Sequence, residues 1–83
     1  MKTVTIDCTA ITDPADLHKA LFDALKFDEW YGHNLDALYD CLTEAEGIAL
    51  HLAGWNTSLP WAAGFESVFA DAARDNPDFQ VIL

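Results

Sequence analysis

The chain has 83 residues, with 14 Asp and Glu against 4 Lys and Arg, a net charge of −10 and 52% hydrophobic residues. A chain of this length buries only about 60–65% of its unfolded surface, enough for one small core, and its wealth of apolar and aromatic residues excludes charge-driven disorder. With Lys2, Lys19, Lys26 and Arg74 as the only cations, the charge argues against direct contact with nucleic acid or an anionic membrane and suits a basic partner, which opposite charge steers into encounter.

Thr3 to Cys8 alternate, with Val4, Ile6 and Cys8 on one face and Thr3, Thr5 and Asp7 on the other, which predicts a β-strand. Asp13-Pro14-Ala15-Asp16 then opens a helix: Asp13 caps free N–H groups, Pro14 takes the first helical position and Asp16 complements the dipole. Leu17, Ala20, Leu21, Ala24 and Leu25 form its apolar stripe, with His18, Lys19 and Asp23 off it, and the helix ends near Lys26. Phe27 to His33 reads as a connection broken by Gly32.

Asn34 caps a second helix that starts at Leu35, buries Leu38, Cys41 and Leu42, and stops before Gly47. Ile48 to Leu52 reads as a strand with Ile48, Leu50 and Leu52 inward and Ala49 and His51 on the other side. The loop after it carries Trp55 and Trp61, both expected at a core edge. Phe65, Val68, Phe69 and Ala72 predict a third helix from Gly64 or Phe65 to about Asp75, ended by Asn76-Pro77-Asp78. The apolar run Phe79 to Leu83 suits a strand inside a sheet more than one at its edge.

Strands separated by helices require crossover connections, so the expected class is α/β with a small three-stranded parallel sheet. No run approaches the roughly 20 apolar residues of a spanning helix. Asp7 interrupts any signal-peptide core, so the expected location is the cytoplasm. Cys8 and Cys41 lack C-x-x-C spacing and are expected to stay reduced.

The informative stretch is Trp30-Tyr31-Gly32-His33-Asn34-Leu35-Asp36-Ala37-Leu38-Tyr39-Asp40-Cys41. On a helix from Leu35, Asp36 and Asp40 are neighbours opposite the core stripe, with Leu35 and Tyr39 in an adjacent row. A solvated face of an acidic protein would also carry such a pair. Like charges four apart, however, cost a helix roughly 0.2–0.5 kcal/mol, and Asp40 lies too far along to gain fully from the N-terminal dipole.

The stretch from Trp30 to Thr43, with its Gly32-x-Asn34-x-Asp36-Ala37-Leu38-x-Asp40 core, closely resembles the signature of the barstar family, intracellular inhibitors of small secreted ribonucleases. Weaker likeness extends to Asp16-Leu17-His18, Glu66-Ser67-Val68 and the terminal strand. The resemblance implies a single barstar-like domain over residues 1–83, a three-stranded parallel sheet packed with three to four helices, and binding rather than catalysis. It further implies that the loop and second helix plug a ribonuclease active site, Asp40 taking the place of an RNA phosphate and Asp36 accompanying it at the rim. Trp30 matches an aromatic, usually tyrosine, that packs on an active-site histidine. Gly32, Asn34 and Leu35 match loop contacts, and Tyr39 and Thr43 match flanking positions. The implied partner is a small basic ribonuclease or related toxin, bound 1:1 by a monomer with no cofactor or metal.

Two departures stand out. Family members can carry a further acidic contact on the helix before the last strand, where Asp71, Arg74 and Asp75 occur here, and Glu44-Ala45-Glu46 supplies charge where a relative can present an aromatic. A different target, such as another basic toxin, is therefore an alternative. A metal-dependent enzyme using His33, Asp36 and Asp40 is a weaker one, because no phosphate loop, H-E-x-x-H or Ser/His/Asp order accompanies those residues. An acidic nucleic-acid mimic would share the charge without the spacing. His18 and His51 have plainer readings, one beside an apolar stripe and one on the open side of a strand. Cys41 reads as a small buried hydrophobe.

Overall fold

The computed structural model describes residues 1–83. Strand β1 (Lys2–Asp7) leads through a short turn to helix α1 (Pro14–Leu25), whose first turn is capped as the sequence predicts: the Asp13 carboxylate accepts from the Ala15 N–H at 2.7 Å. Lys26 ends the helix in the left-handed region, φ 55°, its N–H bonded to the Phe22 carbonyl. Helix α2 (Leu35–Thr43) follows the loop, then strand β2 (Ile48–Ala53), helix α3 (Ala62–Asp75) and strand β3 (Phe79–Ile82).

All strand pairs are parallel, in the order β1-β2-β3. In register, Ile6 lies beside Leu52, Leu50 between Val4 and Val81, and Ile48 beside Phe79, so these side chains share one face. That face joins Leu17 and Leu21 of α1, Leu38, Cys41 and Leu42 of α2, and Phe65, Phe69 and Ala72 of α3 in one core. The other face carries Thr3, Thr5, Asp7, His51, Gln80 and Ile82, all exposed or half-buried. The fold is therefore a two-layer α/β arrangement of three helices on one side of a three-stranded parallel sheet.

Several expectations need correction. The terminal apolar run is an edge strand, not an inner one: β3 pairs only with β2, and Ile82 and Leu83 are 51% and 54% exposed. A short apolar run reads the same at either position, because strand order depends on contacts distant in sequence. Ala49 points away from the helices as read but is buried, since the central strand sets it between Thr3 and Gln80 in register. Helix α3 starts at Ala62, ahead of the predicted Gly64 or Phe65. Gly64 lies inside that helix because α2 passes close: a methyl added there would stand 3.0 Å from Leu35 Cδ1. Cys8 and Cys41 are free and buried, and burial pushes both thiols up, so neither is a poised nucleophile.

Trp55 and Trp61 sit half-buried at the core edge as expected, in edge-on contact at 6.2 Å. The Trp55 indole donates to Glu66 at 2.7 Å and that of Trp61 to the Thr12 carbonyl at 3.3 Å. No helix is long and apolar enough to cross a membrane.

Candidate functional site

The loop before α2 is built around one buried aromatic. Tyr31 is 4% exposed and packs against Phe27, with ring centroids 4.9 Å apart, and His33, at 5.0 Å. Its hydroxyl shares a short hydrogen bond with Nδ1 of His18 on α1. His18 thus belongs to the core, 6% exposed and 4.9 Å from the Phe65 ring, rather than off the helix stripe as the sequence suggested. The Tyr31 hydroxyl satisfies a polar ring nitrogen that would otherwise be costly to bury. Burial, then the nearby His33, holds the His18 pKa below its usual value, and burial pushes the Tyr31 phenol up.

With Tyr31 anchored inward, its neighbour Trp30 faces out. Trp30 is 57% exposed, and its indole N–H donates to the Asp28 carboxylate at 3.0 Å, which fixes the ring at the surface. His33 adopts φ 51°, turning the chain so that extended Asn34 can begin α2. Asn34 Oδ1 accepts from the Ala37 N–H at 2.8 Å, while its Nδ2 donates back to the Gly32 carbonyl at 3.3 Å. A methyl on Gly32 would lie 2.8 Å from that Nδ2, so any side chain there would push the Asn34 amide from its place.

Helix α2 then presents its carboxylates. Asp36 and Asp40 are exposed and make no ion pair, the chain's two salt bridges both belonging to Arg74. Glu44, at the helix C-cap, extends the row by a further turn. Thr43 is half-buried and donates to the Asp40 carbonyl at 3.0 Å, and Leu35 is half-buried against the core. Tyr39 is half-buried, and its hydroxyl donates to the Asp75 carboxylate at the end of α3.

That contact settles the arrangement of the Asp71, Arg74 and Asp75 group. Arg74 holds Asp75 at 3.0 Å and Asp71 at 3.3 Å, so its charge is spent on its own helix. Hydrogen bonds from Arg74 and then Tyr39 keep the Asp75 carboxyl below its usual range, and the same Asp75 contact raises the Tyr39 phenol. No three His, Cys, Asp or Glu side chains come together as a metal-ligand set. His33 instead keeps its ring near those of Tyr31, Phe22 and His18.

The structure therefore brings Asp36, Asp40, Tyr39, Thr43 and Leu35 together on α2, with Gly32 and Asn34 at the capped entry and Trp30 on the loop leading to it. Sequence reasoning missed the supports behind this surface: the His18 and Tyr31 bond, the Tyr39 and Asp75 bond, and Asn76. Asn76 is 8% exposed, and its amide donates to the carbonyls of Leu42, at 3.0 Å, and Ala45, at 2.8 Å. The Asn76-Pro77 dipeptide marked a helix end but gave no sign of that reach.

The family model Barstar (barnase inhibitor) matches residues 1–83. The chain is also 46% identical over 43 residues to a Bacillus subtilis (strain 168) protein named "Putative ribonuclease inhibitor YrdF", an alignment covering 52% of this chain and 47% of that relative. The match thus spans about half the length of the curated relative. The chain belongs to the Barstar family.

Proposed function

We propose that this Barstar-family chain is a protein inhibitor that covers the active site of a small basic ribonuclease, with the α2 carboxylates imitating RNA phosphates. The observation that carries the reading is the pair Asp36 and Asp40, exposed and without an internal cation, on a helix whose entry is fixed by the Asn34 cap. A ribonuclease concentrates positive charge where the substrate phosphate sits. A carboxylate offers two acceptor oxygens there and takes charge-assisted, often bidentate bonds from guanidinium groups.

Trp30 supplies the apolar part of the contact, a large ring exposed on the loop that leads into α2. Gly32, Asn34 and Leu35 form the rim at the helix entry, and Tyr39 and Thr43 flank the carboxylates. In this reading the chain acts as one domain, as a cytoplasmic monomer in a 1:1 complex, protecting the cell that makes the nuclease.

The test is titration of the purified chain into barnase while RNA cleavage is followed. Loss of activity at one equivalent is the expected result. Full cleavage at a large excess of the chain would remove barnase as a target, and the same outcome across a panel of basic ribonucleases would overturn the reading.

A further inference from the structure

Helix α2 is poorly provided at its C-terminal end. Its last turn has no basic residue, Glu44 stands at the C-cap, and the carboxylate row approaches the negative end of the helix dipole. The last carbonyls of a helix also lack partners within it. Local groups close part of this end, the Glu44 N–H bonding the Cys41 carbonyl at 3.3 Å, the Ala45 N–H the Leu42 carbonyl at 3.2 Å and the Thr43 hydroxyl the Asp40 carbonyl. The one side chain that reaches it from a distant part of the chain is Asn76, which donates both amide hydrogens, to the Leu42 carbonyl at 3.0 Å and the Ala45 carbonyl at 2.8 Å. Its own oxygen accepts from the Asp78 N–H at 2.9 Å, so donor and acceptor halves are both engaged and the side chain has one available orientation.

The residue before it grips the same helix. Asp75 accepts the Tyr39 hydroxyl. Two consecutive residues at the end of α3 therefore hold α2 at two heights: Asp75 through a side chain on its flank, and Asn76 through backbone carbonyls at its end. The first contact limits rotation about the helix axis and the second limits sliding and tilt. At the other end, Gly64 lets α3 lie directly against Leu35.

We propose that Asn76 is a positioning residue for the inhibitory surface, fixing the pose in which α2 offers Asp36 and Asp40. This rests on the reading of α2 as the inhibitory helix. Asn76 is 8% exposed and so cannot itself reach a partner; any effect it has on binding passes through α2. Holding the carboxylates in the bound geometry beforehand removes an ordering cost on association, and bidentate bonds are sensitive to small rotations of the acceptor.

Asn76→Ala keeps the net charge, so long-range steering and the association rate should stay within about twofold of the parent. The dissociation rate from barnase should rise by about tenfold or more, because a loosened surface is expressed mainly in dissociation. Asn76→Ser keeps one donor and should fall between the two, and it carries the test if the alanine variant does not fold. Asn76→Asp keeps the bond from Asp78 but sets a carboxylate against two carbonyls, and should be worse than alanine at neutral pH.

Amide hydrogen exchange on the free chain, under conditions where circular dichroism shows it fully folded, decides the positioning role without a partner. Faster exchange in Leu38–Ala45 with α1 unchanged is the expected pattern. An equal rise in α1 and α2 would mean general destabilisation and would overturn the proposal, as would a local rise in exchange with an unaltered dissociation rate. Failure of the parent chain to bind any basic ribonuclease would strike the functional reading instead, and the exchange pattern would still decide whether Asn76 holds α2.

Discussion

Replacing Asp40 with alanine separates a binding role from a structural one, because the two predict opposite signs of stability change. Asp40 stands between Asp36 and Glu44 at four-residue spacing, so the substitution relieves two like-charge pairs. At roughly 0.2–0.5 kcal/mol each, that is about 0.4–1 kcal/mol, less any screening at this exposed surface. The higher helix propensity of alanine adds up to about 0.7 kcal/mol. Nothing is lost in return: the Asp40 side chain has no hydrogen bond or ion pair within the chain, and the Thr43 hydroxyl bonds only its backbone carbonyl. The variant should therefore be more stable by about 0.5–1.5 kcal/mol, which for a domain of this size raises Tm by roughly 2–12 °C. Inhibition should move the other way. Removing one member of a buried charge pair costs about 3–5 kcal/mol, a loss of between about a hundredfold and a few thousandfold in affinity. Thermal denaturation of the free chain and an inhibition constant against RNA cleavage give the two numbers. Stability and inhibition falling together would assign Asp40 to the fold, and unchanged inhibition would remove it from the interface.

Other consequences are equally direct. Association with a basic ribonuclease should slow steeply as salt screens the charge of −10; the barnase complex of this family is itself the reference case for such steering, and a salt-independent association rate would contradict it. Tyr31→Phe strips the partner from a buried imidazole nitrogen and should cost about 1–3 kcal/mol in urea unfolding; a loss below about 0.5 kcal/mol would show that the bond carries little. Because burial depresses the His18 pKa, the unfolded chain binds the extra proton below the ordinary value of 6.5: its contribution is complete above that pH and is lost as pH falls toward the depressed folded value. Urea midpoints should therefore drop between pH 7.5 and 5.5, with a further fall below about pH 4 as Asp7, Glu66 and Asp75, all held low by hydrogen bonds, take up protons. A flat profile from pH 7.5 to 5.5 would refute the His18 assignment.

How much of this was legible from sequence depended on distance along the chain. The Asp13 and Asn34 caps, the core stripe of α2 and the outward Asp36 and Asp40 follow from neighbours within a turn or two, and each stands where the pattern places it. The order of elements follows for the same reason. The supports did not, since they join residues far apart: His18 to Tyr31, Tyr39 to Asp75, Leu42 to Asn76. His18 reads as a polar residue beside a stripe until a hydroxyl from the next loop makes its burial affordable. Strand order is also long-range, which is why an apolar terminal run resembled an inner strand although it lies at the edge. Gly64 looked like a helix boundary because its reason for being glycine, the passage of Leu35, belongs to another helix.

The most direct test of the central claim is competition. If the α2 carboxylates occupy the phosphate position, a mononucleotide bound in the barnase active site and this chain exclude one another. Titration calorimetry of the chain into barnase should give an apparent Kd that rises in proportion to the nucleotide added, and Asp36→Ala/Asp40→Ala should bind so weakly that little signal remains. An apparent Kd that does not change at saturating nucleotide would place the contact elsewhere on the enzyme and contradict the account.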